Sequence, residues 1–198
     1  MPMQKLEDLF VEKLKDMHDA ERRITKALPK MAKAASSPEL SAVFEEHLVV
    51  TERQIERIDR IFESCEIPAG RKTCRGMKGI LEEGEELLSK EKNEAEAAVL
   101  DAALIAAAQE VEHYEIGAYG CLKTWAEVMG WSEEARLLSQ SLDEEELTDE
   151  KLTELASAIN PEARDAGSPR SDEDDEEVHQ VAQAGRAGSG RRRRVAVR

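Results

Sequence analysis

Apolar residues recur at the three- and four-residue steps of a helix along most of this chain. The first pattern covers about residues 4–35, with Leu6, Phe10, Leu14, Met17, Ile24, Leu28 and Met31 on one stripe and one step left open at position 21. Pro29 falls inside it and removes one backbone hydrogen bond, so a kink is expected there. The second pattern starts at SSPEL, where Ser37 can cap the helix and Pro38 suits its first position. It continues through Leu40, Val43, His47, Val50, Gln54, Ile58 and Ile61 until EIPAGRKT breaks it. A shorter helix is expected over about 76–90, although it carries two internal glycines. A third long helix runs over about 94–129 and stops at Gly130; a fourth opens at Ser132 and ends at Asn160–Pro161.

The loops between the first and second and between the third and fourth long helices are short, so each pair should form an antiparallel hairpin. The connection joining the hairpins takes roughly 28 residues, too long for a tight turn, and reads as a crossover along the bundle. Two hairpins joined by one long crossover is the ferritin-like arrangement of a four-helix bundle, an all-α fold expected to occupy residues 1–162. Beyond it, SPRSDEDDEE is acidic and GRAGSGRRRR is basic, and large apolar residues nearly vanish. Residues 163–198 therefore read as a disordered charged tail, whose RRRR run could touch nucleic acid or an acidic partner, the bland reading being a solvated tail.

Composition narrows the function classes. The formal net charge of −15 argues against nucleic-acid binding by the bundle, because phosphates would be repelled, and it suits a salt-rich cytoplasm. MPMQKLEDLF has no apolar core of a secretory signal, and no apolar run reaches the ~20 residues that span a bilayer. Cys65, Cys74 and Cys121 lack metal-type spacing and read as free thiols of a cytoplasmic protein, with a Cys65–Cys74 pair left open. No G-x-S-x-G and no Gly-rich phosphate loop occurs.

The seams carry the chemistry. Ile105, Ala108, Glu112, Glu115, Tyr119 and Leu122 form an unbroken inward stripe on the third long helix, and Glu112 and Glu115 sit within it. Glu21 fills the open step on the first helix, His47 falls between Val43 and Val50 on the second, and Glu145 falls between Leu142 and Leu152 on the fourth. Glu21 lies 15 residues before Ser36 and His47 lies 10 after Ser37; Glu115 lies 15 before Gly130 and Glu145 lies 13 after Ser132. At ~1.5 Å per residue these partners stand within about a turn of each other near mid-bundle. Four ionised carboxylates would bring a charge of −4 into a core, with no lysine or arginine in the seams at that height. Two divalent cations would neutralise them, and carboxylate plus imidazole suits iron or manganese. The bland alternative is that seam glutamates reach out to solvent, that His47 is a hydrogen-bonded core histidine and that Tyr119 only packs. Glu110-Val-Glu-His113 spells Glu-x-x-His but lies off the seam and is read as a decoy.

LEDLFVEKLKDMHDAE, ALPKMAKAA, AALIAAAQEVEHYEIGAYG and LDEEELTDEKLTELA, in that order, resemble the YciE/YciF family of ferritin-like proteins over about residues 3–159. The resemblance implies a ferritin-like fold, usually dimeric, a dinuclear metal site and a link to stress. It places the family's acidic and histidine positions on Glu21, His47, Glu112, Glu115, Glu144 and Glu145. Where the family commonly reads HLEET this chain reads HLVVT, so Val49 and Val50 replace acids, one of them a natural bridging ligand. Two functions compete. One is a dinuclear non-haem iron or manganese protein acting on peroxide, dioxygen or ferrous iron. The other is a non-enzymatic stress or interaction bundle whose site has degraded.

Overall fold

A computed structural model of the chain describes residues 4–68, 72–91 and 96–166 and contains five helices: α1 Leu6–Ala34, α2 Pro38–Ser64, α3 Arg75–Glu91, α4 Ala97–Val128 and α5 Ser132–Asp165. Helices α1 and α2 form one hairpin, and α4 and α5 the other. Helix α2 packs on α5 and α1 packs on α4, which closes the four long helices into a ring in the order α1, α2, α5, α4. Helix α3 lies in the long connection and packs on α1 and α4. This is the ferritin-like bundle expected from the two hairpins and their crossover. Among the described residues, no helix is long and apolar enough to cross a membrane.

Local signals account for most of the boundaries. Ser37 Oγ accepts the Leu40 N–H at 3.2 Å, with Pro38 as the first residue of α2. Gly130 has φ 75° and lets the Trp131 N–H reach back to the Ala126 carbonyl at 2.9 Å, so α4 stops and Trp131 meets the Phe10 ring edge-on at 5.3 Å. Glu66 ends α2 in the same left-handed conformation (φ 51°), with the Ile67 N–H on the Phe62 carbonyl at 2.9 Å.

Helix α1 carries Pro29 inside it, as the periodicity predicts, whereas the expected end of the fourth long helix at Asn160–Pro161 is revised, because α5 continues past Pro161 to Asp165. A proline forfeits only its own amide donor, and at an exposed helix end water can serve the freed carbonyl. The charged segment 167–198, expected as a disordered tail, lies outside the described residues.

The buried stripe of α2 is also shifted from the expected one. It runs Leu40, Phe44, His47, Thr51, Gln54, Ile58 and Ile61, with Val43 and Val50 only half-buried. At about 100° per residue a step of four turns 40° past His47 and a step of three falls 60° short, so Thr51 aligns better than Val50. On α5 the buried set includes Ser141, Thr148 and Ile159, whereas Leu142 and Leu155 are half-buried.

Two carboxylates fasten the connections. Asp101, buried near the start of α4, accepts the Ser36 N–H at 2.7 Å and the Ser37 N–H at 2.8 Å, which ties the α1–α2 turn to the other hairpin. Asp19 of α1 accepts the Cys74 N–H at 2.8 Å where α3 begins. The Cys74 thiol meets the Tyr114 hydroxyl at 3.0 Å, and a Cβ on Gly76 would stand 2.8 Å from Tyr114 Cε2, so the close approach of α3 to α4 needs a glycine there. Cys65, Cys74 and Cys121 are all free thiols, so the pairing left open for Cys65 and Cys74 does not form.

Asp101→Ala leaves two turn amides without their acceptor. Urea denaturation should show a loss of roughly 2–4 kcal/mol with an unchanged m-value; a loss below the scatter of the measurement would mean that the turn holds without Asp101.

Candidate metal centre

The bundle core is apolar at both ends and polar in the middle. One cluster gathers Ile24, Leu28, Leu40, Phe44, Met77, Leu104 and Leu152; the other gathers Phe10, Leu14, Met17, Ile58, Ile61, Leu122 and Leu138. Between them lies a layer formed by Glu21 of α1, His47, Thr51 and Gln54 of α2, Glu112 and Glu115 of α4, and Glu145 and Thr148 of α5, all buried. Helical periodicity puts each on its inward stripe, and the hairpin turns bring them to one level, as the count from the turns requires.

His47, Glu112, Glu115 and Glu145 each turn one ligand-type atom into a group whose members lie within 4.8 Å of one another. His47 Nε2 is 3.3 Å from Glu112 Oε1 and 3.6 Å from Glu145 Oε2. The other ring nitrogen, Nδ1, is 3.2 Å from Thr148 Oγ1, whose own hydroxyl donates to the Glu144 carbonyl at 3.0 Å. A hydroxyl has one proton to give, so Thr148 accepts from Nδ1–H. That tautomer turns the free Nε2 lone pair toward the carboxylates, as a metal-ligating histidine held by its second nitrogen would.

Glu21 lies against this group. Tyr119 donates its hydroxyl to Glu21 Oε1 and leaves Oε2 facing the layer. Gln54 donates to Glu145 Oε1 and, at 3.2 Å, to Glu144 Oε2. Glu144 is engaged elsewhere: it takes a two-pronged ion pair from Arg57 with both contacts at 2.6 Å. Arg57 stands beside the buried stripe of α2 and not in it, and Glu144 already holds its guanidinium. Of the six residues expected to bind metal, the structure therefore gathers Glu21, His47, Glu112, Glu115 and Glu145 and places Glu144 at the rim. Glu110 and His113 point outward, His113 toward Asp149 at 3.4 Å, as expected of a decoy.

Among the described residues, every buried side-chain polar atom without a hydrogen-bond partner belongs to this layer: Glu21 Oε2, His47 Nε2, Gln54 Oε1, Glu112 Oε2, both Glu115 oxygens and Glu145 Oε2. Seven such atoms at one level, in a bundle otherwise satisfied, fit the donor set of a cation site. Burial, and then the charge of their neighbours, raises the pKa of Glu21, Glu115 and Glu145 well above the carboxylate range. Burial raises Glu112 to about 8. Burial, with Lys151 adding to it, lowers His47 to about 4. Without a cation, burial thus favours the protonated form of the acids and the neutral form of the imidazole. With one, the acids give up protons and the imidazole is already in its ligating form.

Sequence reasoning did not assign Gln54, Thr148 or Arg57 to the site and read Tyr119 as packing. Thr148 and Gln54 sit at inward steps on α5 and α2, so periodicity could have found them; the pairing of Arg57 with Glu144 depends on how two separate helices meet.

Residues 5–164 match the family described as "Domain of unknown function (DUF892)". Escherichia coli (strain K12) Protein YciF is 49% identical over 158 residues, 79% of this chain and 93% of that protein. The crystal structure of the E. coli stress protein YciF superposes with a TM-score of 0.76 at 45% identity, covering 80% of this chain and 99% of that one. The structure of YcfI from Rhodopseudomonas palustris gives 0.72 at 41% identity, over 76% and 94%. A protein from Xanthomonas campestris gives 0.61 at 21% identity, over 78% and 93%, and carries the likeness of fold alone. The resemblance read from the sequence is thereby borne out.

The raised carboxyls set a pH dependence. The folded chain keeps the Glu112 proton up to about pH 8, while an unfolded chain releases it near 4.5, so protein stripped of metal should lose stability as pH rises between those values. Thermal melts across this range should show a midpoint that falls by roughly 2–4 °C for each kcal/mol lost. Glu112→Gln should flatten the fall; an equal fall in that variant would place the titration elsewhere.

Proposed function

Because this chain belongs to the DUF892 family and is a homologue of the stress protein YciF, we propose that it is a stress-associated ferritin-like protein whose polar layer holds two iron or manganese ions and acts on peroxide, dioxygen or ferrous iron. The observation that supports this most is the set of unpartnered ligand atoms from four helices at one level. His47, Glu112, Glu115 and Glu145 are close enough to surround one ion. Glu21 extends the acid set on the α1 side, where Glu115 and Glu145 feel its charge and could serve a second position. Four carboxylates balance two divalent cations, and the oxygen-rich set with one imidazole matches iron and manganese better than copper or zinc thiolate sites.

When bound, iron or manganese supplies the +2 to +3 electron chemistry that such substrates require. The chain's own part is to orient and enclose. Thr148 fixes the His47 tautomer, Tyr119 holds one oxygen of Glu21, and Gln54 holds one oxygen of Glu145, so each keeps a donor atom turned inward. The apolar clusters on both sides exclude water along the bundle axis. Glu144, with Arg57, is an outer partner that braces Gln54. The reading also takes the protein to be cytoplasmic and a homodimer; sedimentation should give twice the mass of one chain.

The second reading, a non-enzymatic bundle, is motivated by Val49 and Val50. Val49 is exposed and Val50 half-buried, while Thr51 takes the buried step after His47 and donates to the His47 carbonyl at 2.9 Å. A family glutamate at position 50 would thus stand at the rim, and its replacement leaves the five inward residues in place.

Elemental analysis after anaerobic loading with Fe(II) or Mn(II) and desalting should find close to two metals per chain, lost in Glu112→Gln, Glu145→Gln. Loading should also raise the melting midpoint, since a ligand bound to the folded state stabilises it. One metal per chain would support a site reduced at Val50, and none with no thermal shift would support the metal-free bundle.

A further inference from the structure

Helix α1 carries a cationic ridge on its outer side. A groove of about 680 Å³ runs between α1 and α3, lined by seven lysine and arginine side chains against three acids, in a chain whose net charge is −15. Four of these cations are already paired: Arg23 with Asp19 at 2.6 Å, Lys30 with Glu85 at 2.6 Å, Lys78 with Glu82 at 2.6 Å, and Lys72 with Glu12 at 2.8 Å and Asp16 at 3.0 Å. The side chains of Lys15, Arg22 and Lys26 make no direct ion pair or hydrogen bond among the described residues, although Glu12 feels the charge of Lys15 and Asp19 that of Arg22. Arg22 and Lys26 also border a second groove of about 430 Å³ toward α2, so the unpaired charges form a crest between two hollows.

We propose that this groove is a binding site for a linear polyphosphate anion. Lys15, Arg22 and Lys26 are seven and four residues apart, which sets them about 10 Å and about 6 Å apart along one side of α1. A rod of repeated charge can meet all three at once, whereas a single phosphate meets one. The four paired cations beside them are matched by the five acids they contact, so the positive field of the groove comes from Lys15, Arg22 and Lys26. The lining favours this ligand over other polyanions. The apolar side chains lining it are Ala27 and Leu81 alone, and its one aromatic ring, His18, is held by Asp59 at 3.1 Å and set edge-on to Phe62 at 5.4 Å, so it offers a nucleic acid mainly backbone charge. The volume lies in the range of small-ligand sites.

Isothermal titration of the full chain with tripolyphosphate and with a longer linear polyphosphate tests this, beside orthophosphate, a short single-stranded oligonucleotide and an oligo-aspartate peptide. Arg22→Glu with Lys26→Glu removes the crest; Arg53→Glu with Arg60→Glu, exposed on α2 and outside both grooves, makes the same change in net charge. Arg22→Gln with Lys26→Gln is the milder form, and circular dichroism confirms the helices in each. The expected result is saturable, salt-sensitive binding of polyphosphate, one site per chain, weakened at least tenfold by the crest variant and less than about threefold by the control. The control keeps the polar layer, so phosphate captured by a metal there would survive in both variants and overturn the proposal. It is equally overturned if no saturable binding occurs, if both variants weaken binding alike, or if orthophosphate, the oligonucleotide or the peptide binds as tightly as polyphosphate.

Discussion

The structure is organised around four carboxylic acids that cannot stay ionised where they are. A buried carboxylate left without partners costs several kcal/mol, and Glu21, Glu112, Glu115 and Glu145 share one level of a helical core. Each would have been cheaper as leucine. The layer persists only if something offsets that cost: protons held at high pKa when no cation is bound, or cations that use the same oxygens as ligands. The fold is therefore stabilised most by its two apolar ends, with the middle left as a region whose state depends on what it binds.

That division explains where the strong secondary contacts fall. Above and below the layer, large apolar residues from all four long helices interlock. Within the layer the contacts are directional. Tyr119 addresses Glu21, Gln54 addresses Glu145 and Thr148 addresses His47, and each leaves one inward atom free. Such one-sided satisfaction would be a defect in an inert core. It suits a site in which the second lone pair has other work. Asp101 and Asp19 spend their carboxylates on backbone amides instead, Asp101 with both oxygens on the hairpin turn and Asp19 with one oxygen shared between the Cys74 amide at the start of α3 and Arg23.

The outer surface has its own order. The chain is strongly acidic, yet α1 gathers cations toward α3, and only part of that charge is neutralised by neighbours. Because α1 carries Glu21 inward and the cationic crest outward, one helix serves the buried layer on one face and a polar groove on another.

Much of this was legible in the chain. Periodicity with turn residues determined four long helices, two hairpins and the ferritin-like order. Counting from the turns placed Glu21, His47, Glu112, Glu115 and Glu145 at one height, because rise per residue is nearly constant in any helix. What the count could not decide was rotation and partnership. Whether Thr51 or Val50 faces inward turns on a few tens of degrees about the axis of α2, which the packing of Phe44 and Gln54 settles. Whether Glu144 joins the layer turns on Arg57 from another helix claiming it first. The grip of Asp101 on a turn some 65 residues away has no local signature at all. Local sequence determines height and periodic face, since both follow from one helix alone; which polar group meets which is a property of two or more helices together, and only the tertiary structure decides it.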